Sequence, residues 1–169
     1  IKKKKELKEE SKTYVSWILT DRQLCDIELI LNGGFSPLKG FLNKIDYQSV
    51  IKRMRLNDGT LWPMPINLDI TEEFALKIKN ENKITLRDKE GFPLAILTIE
   101  DIWRPDFKEE SSLVYNTLSE KHPGVDYLLN TSHKIYLGGV LEGISLPHHY
   151  DYSIYRHTPD ELKSLFSKL

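Results

Sequence analysis

Cys25-Asp26-Ile27-Glu28-Leu29-Ile30-Leu31-Asn32-Gly33-Gly34-Phe35-Ser36-Pro37-Leu38-Lys39-Gly40-Phe41 decides the fold: an amphipathic helix is cut off by two glycines and runs into an aromatic-flanked proline and glycine turn. Leu24, Ile27 and Leu31 fall at spacings that make one apolar stripe, with Thr20 or Asp21 as cap, so a helix is predicted over 21–32. Gly33 accepts the left-handed conformation that helix ends often need, and Pro37 prevents resumption. Gly33, Gly34 and Gly40 do not make a phosphate loop, which needs Gly-x-x-x-x-Gly-Lys-Ser/Thr opening a helix after a strand; here the helix comes first. The dinucleotide fingerprint fails for the same topological reason.

Downstream, a second helix is predicted at about 46–55, with Tyr47, Val50, Ile51 and Met54 on one face and Lys52, Arg53 and Arg55 near its negative end; Asn57-Asp58-Gly59 then turns the chain. From Leu61 to Ile70 the period changes to two, Trp62, Met64, Ile66, Leu68 and Ile70 alternating with polar residues and prolines. That pattern predicts a half-buried strand, its first half at an edge because Pro63 and Pro65 cannot donate ladder hydrogen bonds. Residues 84–87, the turn Asp88-Lys89-Glu90-Gly91 and residues 93–102 predict a hairpin whose second arm is apolar on both faces, a central strand. A helix over 109–121, ended by His122-Pro123-Gly124, and a strand over 135–144 follow; Gly138-Gly139 marks a bulge or a close approach of backbone. Thr158-Pro159-Asp160-Glu161 is a capping box with proline at the first helical position, and Leu162, Leu165, Phe166 and Leu169 then form an apolar stripe that must be covered.

With 169 residues the chain suits one domain, or one domain with a small appendage, that buries roughly 70% of its unfolded surface. It carries 24 basic and 25 acidic side chains, a net charge of −1, and 40% apolar residues, the balance of an ordinary soluble globule. A nucleic-acid binder usually shows a basic excess; the one basic block, Lys2 to Lys5, is followed by Glu6, Glu9 and Glu10 and reads as the solvated start of an N-terminal helix. Cys25 is the sole cysteine, so no intrachain disulfide forms and a reducing, cytoplasmic location is expected. No apolar run approaches the roughly 20 residues that cross a bilayer, and no membrane partner is expected. The start at Ile1 rather than Met suggests a trimmed or processed piece.

His148, His149, Tyr150, Asp151 and His157 look at first like metal ligands, but adjacent histidines in extended chain point to opposite sides and no regular His pair completes a shell. The plainer expectation is a segment that anchors the last helix. Glu100, Asp101 and Asp106 around Trp103 could be paired carboxylates, yet without a partner histidine a solvated strand end is favoured. Cys25 is read as a small buried apolar residue rather than a nucleophile, and Trp17, Trp62 and Trp103 as core rather than base-stacking platforms. No catalytic, cofactor-binding or metal residue is assigned.

The opening run resembles the N-terminal domain of ATP sulfurylase, sulfate adenylyltransferase, where a leucine-rich helix runs into Gly-Gly-Phe/Tyr-Ser-Pro-Leu-x-Gly-Phe. Further segments agree in order and spacing: Asp58 to Ile66, Leu86-Arg87-Asp88 with Gly91, Asp101 to Asp106, His122 to Val125, Tyr136 to Gly139, and His149 to Tyr152 through Arg156 to Thr158-Pro159-Asp160-Glu161-Leu162. The resemblance runs from about Leu19 to the end. It implies an α+β fold, a PUA-like small mixed β-barrel with peripheral helices over 16–169, after an N-terminal helical extension over 1–15. It also implies that a catalytic nucleotidyltransferase domain, absent from this chain, follows in the same polypeptide and turns Mg-ATP and sulfate into adenylyl sulfate and pyrophosphate.

In the family, Gln-x-Arg-Asn-Pro and His-x-Gly-His motifs hold the ATP phosphates. Here no Arg precedes Asn and no His-x-x-His occurs. Isolated Arg22, Arg87 and Arg156 do not demonstrate the convergence of cations that phosphate-chain catalysis needs. The chain is therefore read as a noncatalytic domain whose partner is the catalytic domain, without a cofactor of its own. A free-standing PUA-like module binding RNA or a nucleotide is the alternative, and homo-oligomer contacts through exposed helices stay open.

Overall fold

The computed structural model describes residues 2–168. The elements are α1 (Lys2–Glu10), β1 (Ser16–Ile18), α2 (Asp21–Leu31), β2 (Gly40–Phe41), α3 (Lys44–Arg53), β3 (Leu68–Ile70), α4 (Glu72–Lys77), β4 (Lys83–Arg87), β5 (Pro93–Trp103), α5 (Phe107–Tyr115), α6 (Pro123–Asp126), a π-helical turn (Tyr127–Thr131), β6 (Ile135–Gly143), a 3-10 turn (Ser153–Tyr155) and α7 (Pro159–Phe166). The class is α+β with one mixed sheet in the order β1-β4-β5-β6-β2, β3 pairing with β6 off that path. This order has two ends, β1 and β2, so the expected barrel is corrected to an open sheet among the described residues. The end strands are only three and two residues long, too short to carry a closing ladder.

Two compact units divide the chain, one from residues 1–40, 82–98 and 140–169, the other from 41–81 and 99–139. In the first, β4 and β5 form the expected hairpin, with Ile84 opposite Leu97, Thr85 opposite Ile96 and Leu86 opposite Ala95. Leu94, Ala95, Ile96 and Leu97 are all buried, as a central strand with two apolar faces requires. β1 adds to β4 in parallel. Leu7 of α1 packs with Ile96 and Ile144, with Tyr14 against them, and the Thr85 hydroxyl donates to the Ser11 carbonyl at 2.7 Å, so the helix is tied to the sheet.

α2 follows its predicted course, and Gly33 takes φ +84° just beyond it. Its cap is fuller than the sequence reading: the Thr20 backbone N–H donates to Gln23 Oε1 at 3.1 Å while Gln23 N–H donates to the Thr20 hydroxyl. Gln23 is buried because Trp17 Nε1 also donates to Oε1 at 3.0 Å, so burial costs it no unpaired acceptor. The buried face is Gln23, Ile27 and Ile30, which turns Cys25 outward; the expectation of a buried Cys25 is corrected to an exposed thiol.

In the second unit, Asn43 caps α3 through Oδ1, which accepts Asp46 N–H at 2.9 Å. Tyr47, Val50 and Ile51 are buried as predicted, but Met54 ends the helix at φ 52° and is 59% exposed. The strand expected over 61–70 shrinks to β3: Pro63 and Pro65 break the ladder, Arg55 and Leu61 form an isolated bridge, and Met64 faces outward. β3 runs antiparallel to β6, Leu68 opposite Leu137. Gly138 is a point of close approach: a Cβ there would stand 2.6 Å from Asn43 Cα and against the Leu42 carbonyl oxygen.

The helix predicted over 109–121 is α5, which begins earlier, at Phe107, behind an Asp106 cap and ends at Asn116 with φ 55°. His122-Pro123 starts α6 instead of ending a helix, His122 Nδ1 accepting Gly124 N–H at 3.2 Å. Proline at the first helical position suits a start as well as it suits a stop, and the start wins once Asn116 has terminated α5.

Candidate functional site

The residues after β6 expose the largest concentration of aromatic side chains. Tyr150, Tyr152, Ile154 and Tyr155 are 73–77% exposed, Phe166 64% and Leu165 50%. Soluble surfaces seldom gather large apolar side chains in one stretch unless something covers them. α7 is nevertheless well made. Thr158 and Glu161 exchange the two capping-box hydrogen bonds, at 2.7 and 3.3 Å, and the Thr158 backbone N–H, then its hydroxyl, hold the Glu161 carboxyl below the usual carboxylate range. Pro159 occupies the first turn, yet no side chain of α7 is buried. The predicted stripe is thus formed, with Leu162 half-buried and Leu165 and Phe166 left exposed; Leu169, its last member, lies outside the described residues.

This segment is clasped to the body of its own unit by His149. Its Nε2 lies 2.8 and 2.9 Å from the two carboxylate oxygens of Glu28 on α2. Glu28 lies within the helix quoted at the outset, so one exposed-face acid fixes where the tail departs. The Tyr150 hydroxyl donates to Glu90 at 3.3 Å, and that carboxylate pushes the phenol's pKa up. Tyr152 stands at φ 49°, an uncommon conformation for a bulky residue. Arg156 holds Asp151 at 3.2 Å.

The other sequence candidates have local partners. Glu100 accepts from Asn43 Nδ2 and Asp101 from Lys44 N–H, each at 3.1 Å, while Asp106 caps α5; these carboxylates organise helix starts instead of forming an acid and base pair. Arg22 pairs with Asp26 at 2.5 Å, and Arg87 donates to the Ser16 hydroxyl at 2.8 Å and the Gly91 carbonyl at 2.9 Å. Trp103 is a core residue, whereas Trp17 and Trp62 are half-buried. Among the described residues no cluster of three His, Cys, Asp or Glu side chains could hold a metal ion, and no helix is long and apolar enough to cross a membrane.

One group went unread in the sequence. Glu110 is buried at 4% exposure, and its Oε2 accepts the hydroxyls of Tyr47 at 2.9 Å and Tyr136 at 3.0 Å. Trp103 packs on both tyrosine rings, and Phe107 on Tyr136. Burial, reinforced by the adjacent carboxylate, pushes both phenols' pKa values well up. The legible signal was spacing: Glu110 falls three residues after Phe107 and four before Val114, on the helix's apolar face. The cluster ties α3, α5 and β6 together, a structural role.

A family model described as a PUA-like domain matches residues 1–146. The chain belongs to the PUA-like domain family. Over 166 residues this PUA-like domain is 50% identical to a sulfate adenylyltransferase of Saccharomyces cerevisiae, covering 97% of this chain and 32% of the relative. It is 49% identical to the sulfate adenylyltransferase of Kluyveromyces lactis, covering 97% and 33%. Among solved structures, a hexameric APS kinase from Thiobacillus denitrificans superposes with a TM-score of 0.77 at 30% identity, over 99% of this chain and 29% of that one. The PUA-like domain therefore spans about a third of the length of the curated relatives it matches.

Proposed function

We propose that this chain is the N-terminal, noncatalytic domain of a sulfate adenylyltransferase, packing through its last segment on the region that makes adenylyl sulfate and pyrophosphate from Mg-ATP and sulfate. The observation that carries the reading is the pairing of two facts. Half of the residues are shared with sulfate adenylyltransferases across nearly the whole chain, which spans about a third of their length, and Tyr150, Tyr152, Tyr155, Leu165 and Phe166 leave a large apolar surface bare. Covering Leu165 and Phe166 alone would stabilise the larger protein by about 2–3 kcal/mol. Arg22, Arg87 and Arg156, each engaged by its own neighbourhood, are read as structural, so phosphate binding falls to residues beyond this chain. Assembly into a homo-oligomer is consistent with the hexameric structural relative, and a cytoplasmic location with the single exposed thiol.

The test replaces Leu165 and Phe166 by Ser in the 169-residue chain and in the full-length enzyme. In the isolated chain the melting temperature should move by less than about 2 °C, because both side chains are already exposed. In the full-length enzyme the same pair should lower melting and sulfate-dependent pyrophosphate exchange together. Equal, small effects in both contexts would refute the packing role.

A further inference from the structure

Lys3, Lys4 and Lys5, near the start of the chain, are not a uniform solvated face. Lys3 pairs with Glu142 at 3.5 Å, and Lys12, on the turn after α1, with Glu9 at 2.6 Å. Lys4, Lys5 and Lys8 line a cleft of about 310 Å3 whose floor is Phe92, Pro93, Ile144 and Ser145, all in the same compact unit. Among the described residues no carboxylate pairs with these three ammonium groups. Lys4 and Lys8 stand four residues apart on one helix and repel each other, and no acid in the first turn offsets Lys4 near the positive end of the helix dipole. Phe92, on that floor, is 59% exposed, although it adjoins a strand that buries Leu94 to Leu97.

An adjoining cavity of about 650 Å3 shares Lys4, Ile144 and Ser145 but is also lined by Asp160, which offsets the charge of Lys4 and Lys39 there. The smaller cleft keeps an undiluted positive rim over an apolar floor. Its volume lies at the low end for small-molecule sites and far below what a folded partner needs. An exposed ring offers a stacking face, and lysines bind phosphate as point charges.

From this juxtaposition we infer that the cleft between α1 and the start of β5 binds a small planar aromatic phosphate, of which a nucleoside monophosphate is the biological class. The ring lies against Phe92 and Pro93 and the phosphate faces Lys4, Lys5 and Lys8. Every residue of the cleft lies in one compact unit of this chain, so the 169-residue chain itself is the material for the test.

The experiment titrates that chain with AMP, phenyl phosphate, adenosine and inorganic phosphate by calorimetry at low salt. AMP should bind one to one with a Kd of about 0.1–1 mM, the affinity of an open cleft that recovers only part of a small ligand's attainable contact. Adenosine and inorganic phosphate should each bind at least about tenfold more weakly, since each supplies half of the recognition. Phenyl phosphate matching AMP means that any ring suffices; AMP binding tighter means that the base is read, and both results support the site. Lys4→Gln with Lys8→Gln, which removes both charges while keeping good helix formers, should weaken AMP by about fivefold or more. Phe92→Ala should weaken AMP by at least about fivefold and leave inorganic phosphate unchanged. AMP binding no tighter than inorganic phosphate, or binding indifferent to these substitutions, would overturn the proposal.

Discussion

Replacing Gly138 by Ala tests the packing that the sequence hinted at and the structure specified. The added Cβ would lie 2.6 Å from Asn43 Cα and 3.0 Å from Asn43 N, with the Leu42 carbonyl oxygen nearer still. All three are backbone atoms, so no rotamer change relieves the overlap. The segment cannot retreat freely, because Leu42 N–H donates to the Ile66 carbonyl at 3.1 Å and Asn43 caps α3. Overpacking of this kind costs about 3 kcal/mol, the upper end of its usual range. Loss of glycine's freedom in the unfolded chain returns roughly 0.4–1 kcal/mol. The net destabilisation of about 2 kcal/mol corresponds to a drop in melting temperature of about 4–8 °C for a chain of this size.

Gly33 is the control. It sits at φ +84° with no atom within 4 Å of a built Cβ, so its requirement is conformational. Asn tolerates that conformation, and Gly33→Asn should melt close to the wild type. Gly138→Asn should be worse than Gly138→Ala, since it adds volume to the same collision. Thermal unfolding followed by circular dichroism reads all four chains. A Gly138→Ala chain melting within about 1 °C of wild type, or Gly138→Asn no worse than Gly33→Asn, would refute the close-approach argument.

Two further outcomes follow from the buried and half-buried polar groups. Glu110→Leu removes the acceptor of the Tyr47 and Tyr136 hydroxyl protons and should cost about 2–6 kcal/mol in guanidinium unfolding, partly recovered when both tyrosines become Phe; stability equal to wild type would contradict the network. Glu10 is held below its ordinary pKa of 4.5, first by the Tyr14 hydroxyl and then by Lys83 at 3.2 Å. Because the folded value is depressed, its contribution is present above the unfolded value and is lost as pH falls through the folded one. Lys83→Met should move the Glu10 midpoint upward in a carboxyl NMR titration, and an unmoved midpoint would exclude the lysine's part.

Elements whose local signals agreed were legible in the sequence. α2 combined a cap, an apolar stripe and a terminating glycine; the β4–β5 hairpin combined an Asp-Lys-Glu-Gly turn with a second arm apolar on both faces; α7 carried a complete capping box. Where signals competed, the longer-range term won. Alternation over 61–70 pointed to a strand, but the missing N–H groups of Pro63 and Pro65 removed its ladder and left Met64 outside. Met54 kept the helical spacing of Tyr47 and Val50 yet ended α3 in a left-handed cap, which swung its side chain to solvent. Barrel closure was the least accessible feature, since it depends on how far edge strands extend, and β1 and β2 are short and spaced without any period. The stripe on α7 was readable as a pattern; that Leu165 and Phe166 stay exposed among the described residues required the coordinates.

Sulfate-dependent exchange of labelled pyrophosphate into ATP, measured with Mg-ATP on the purified 169-residue chain beside the full-length enzyme, tests the noncatalytic reading most directly. The account predicts exchange by the longer polypeptide and none above background by this chain. Sustained turnover by the 169 residues alone would contradict it.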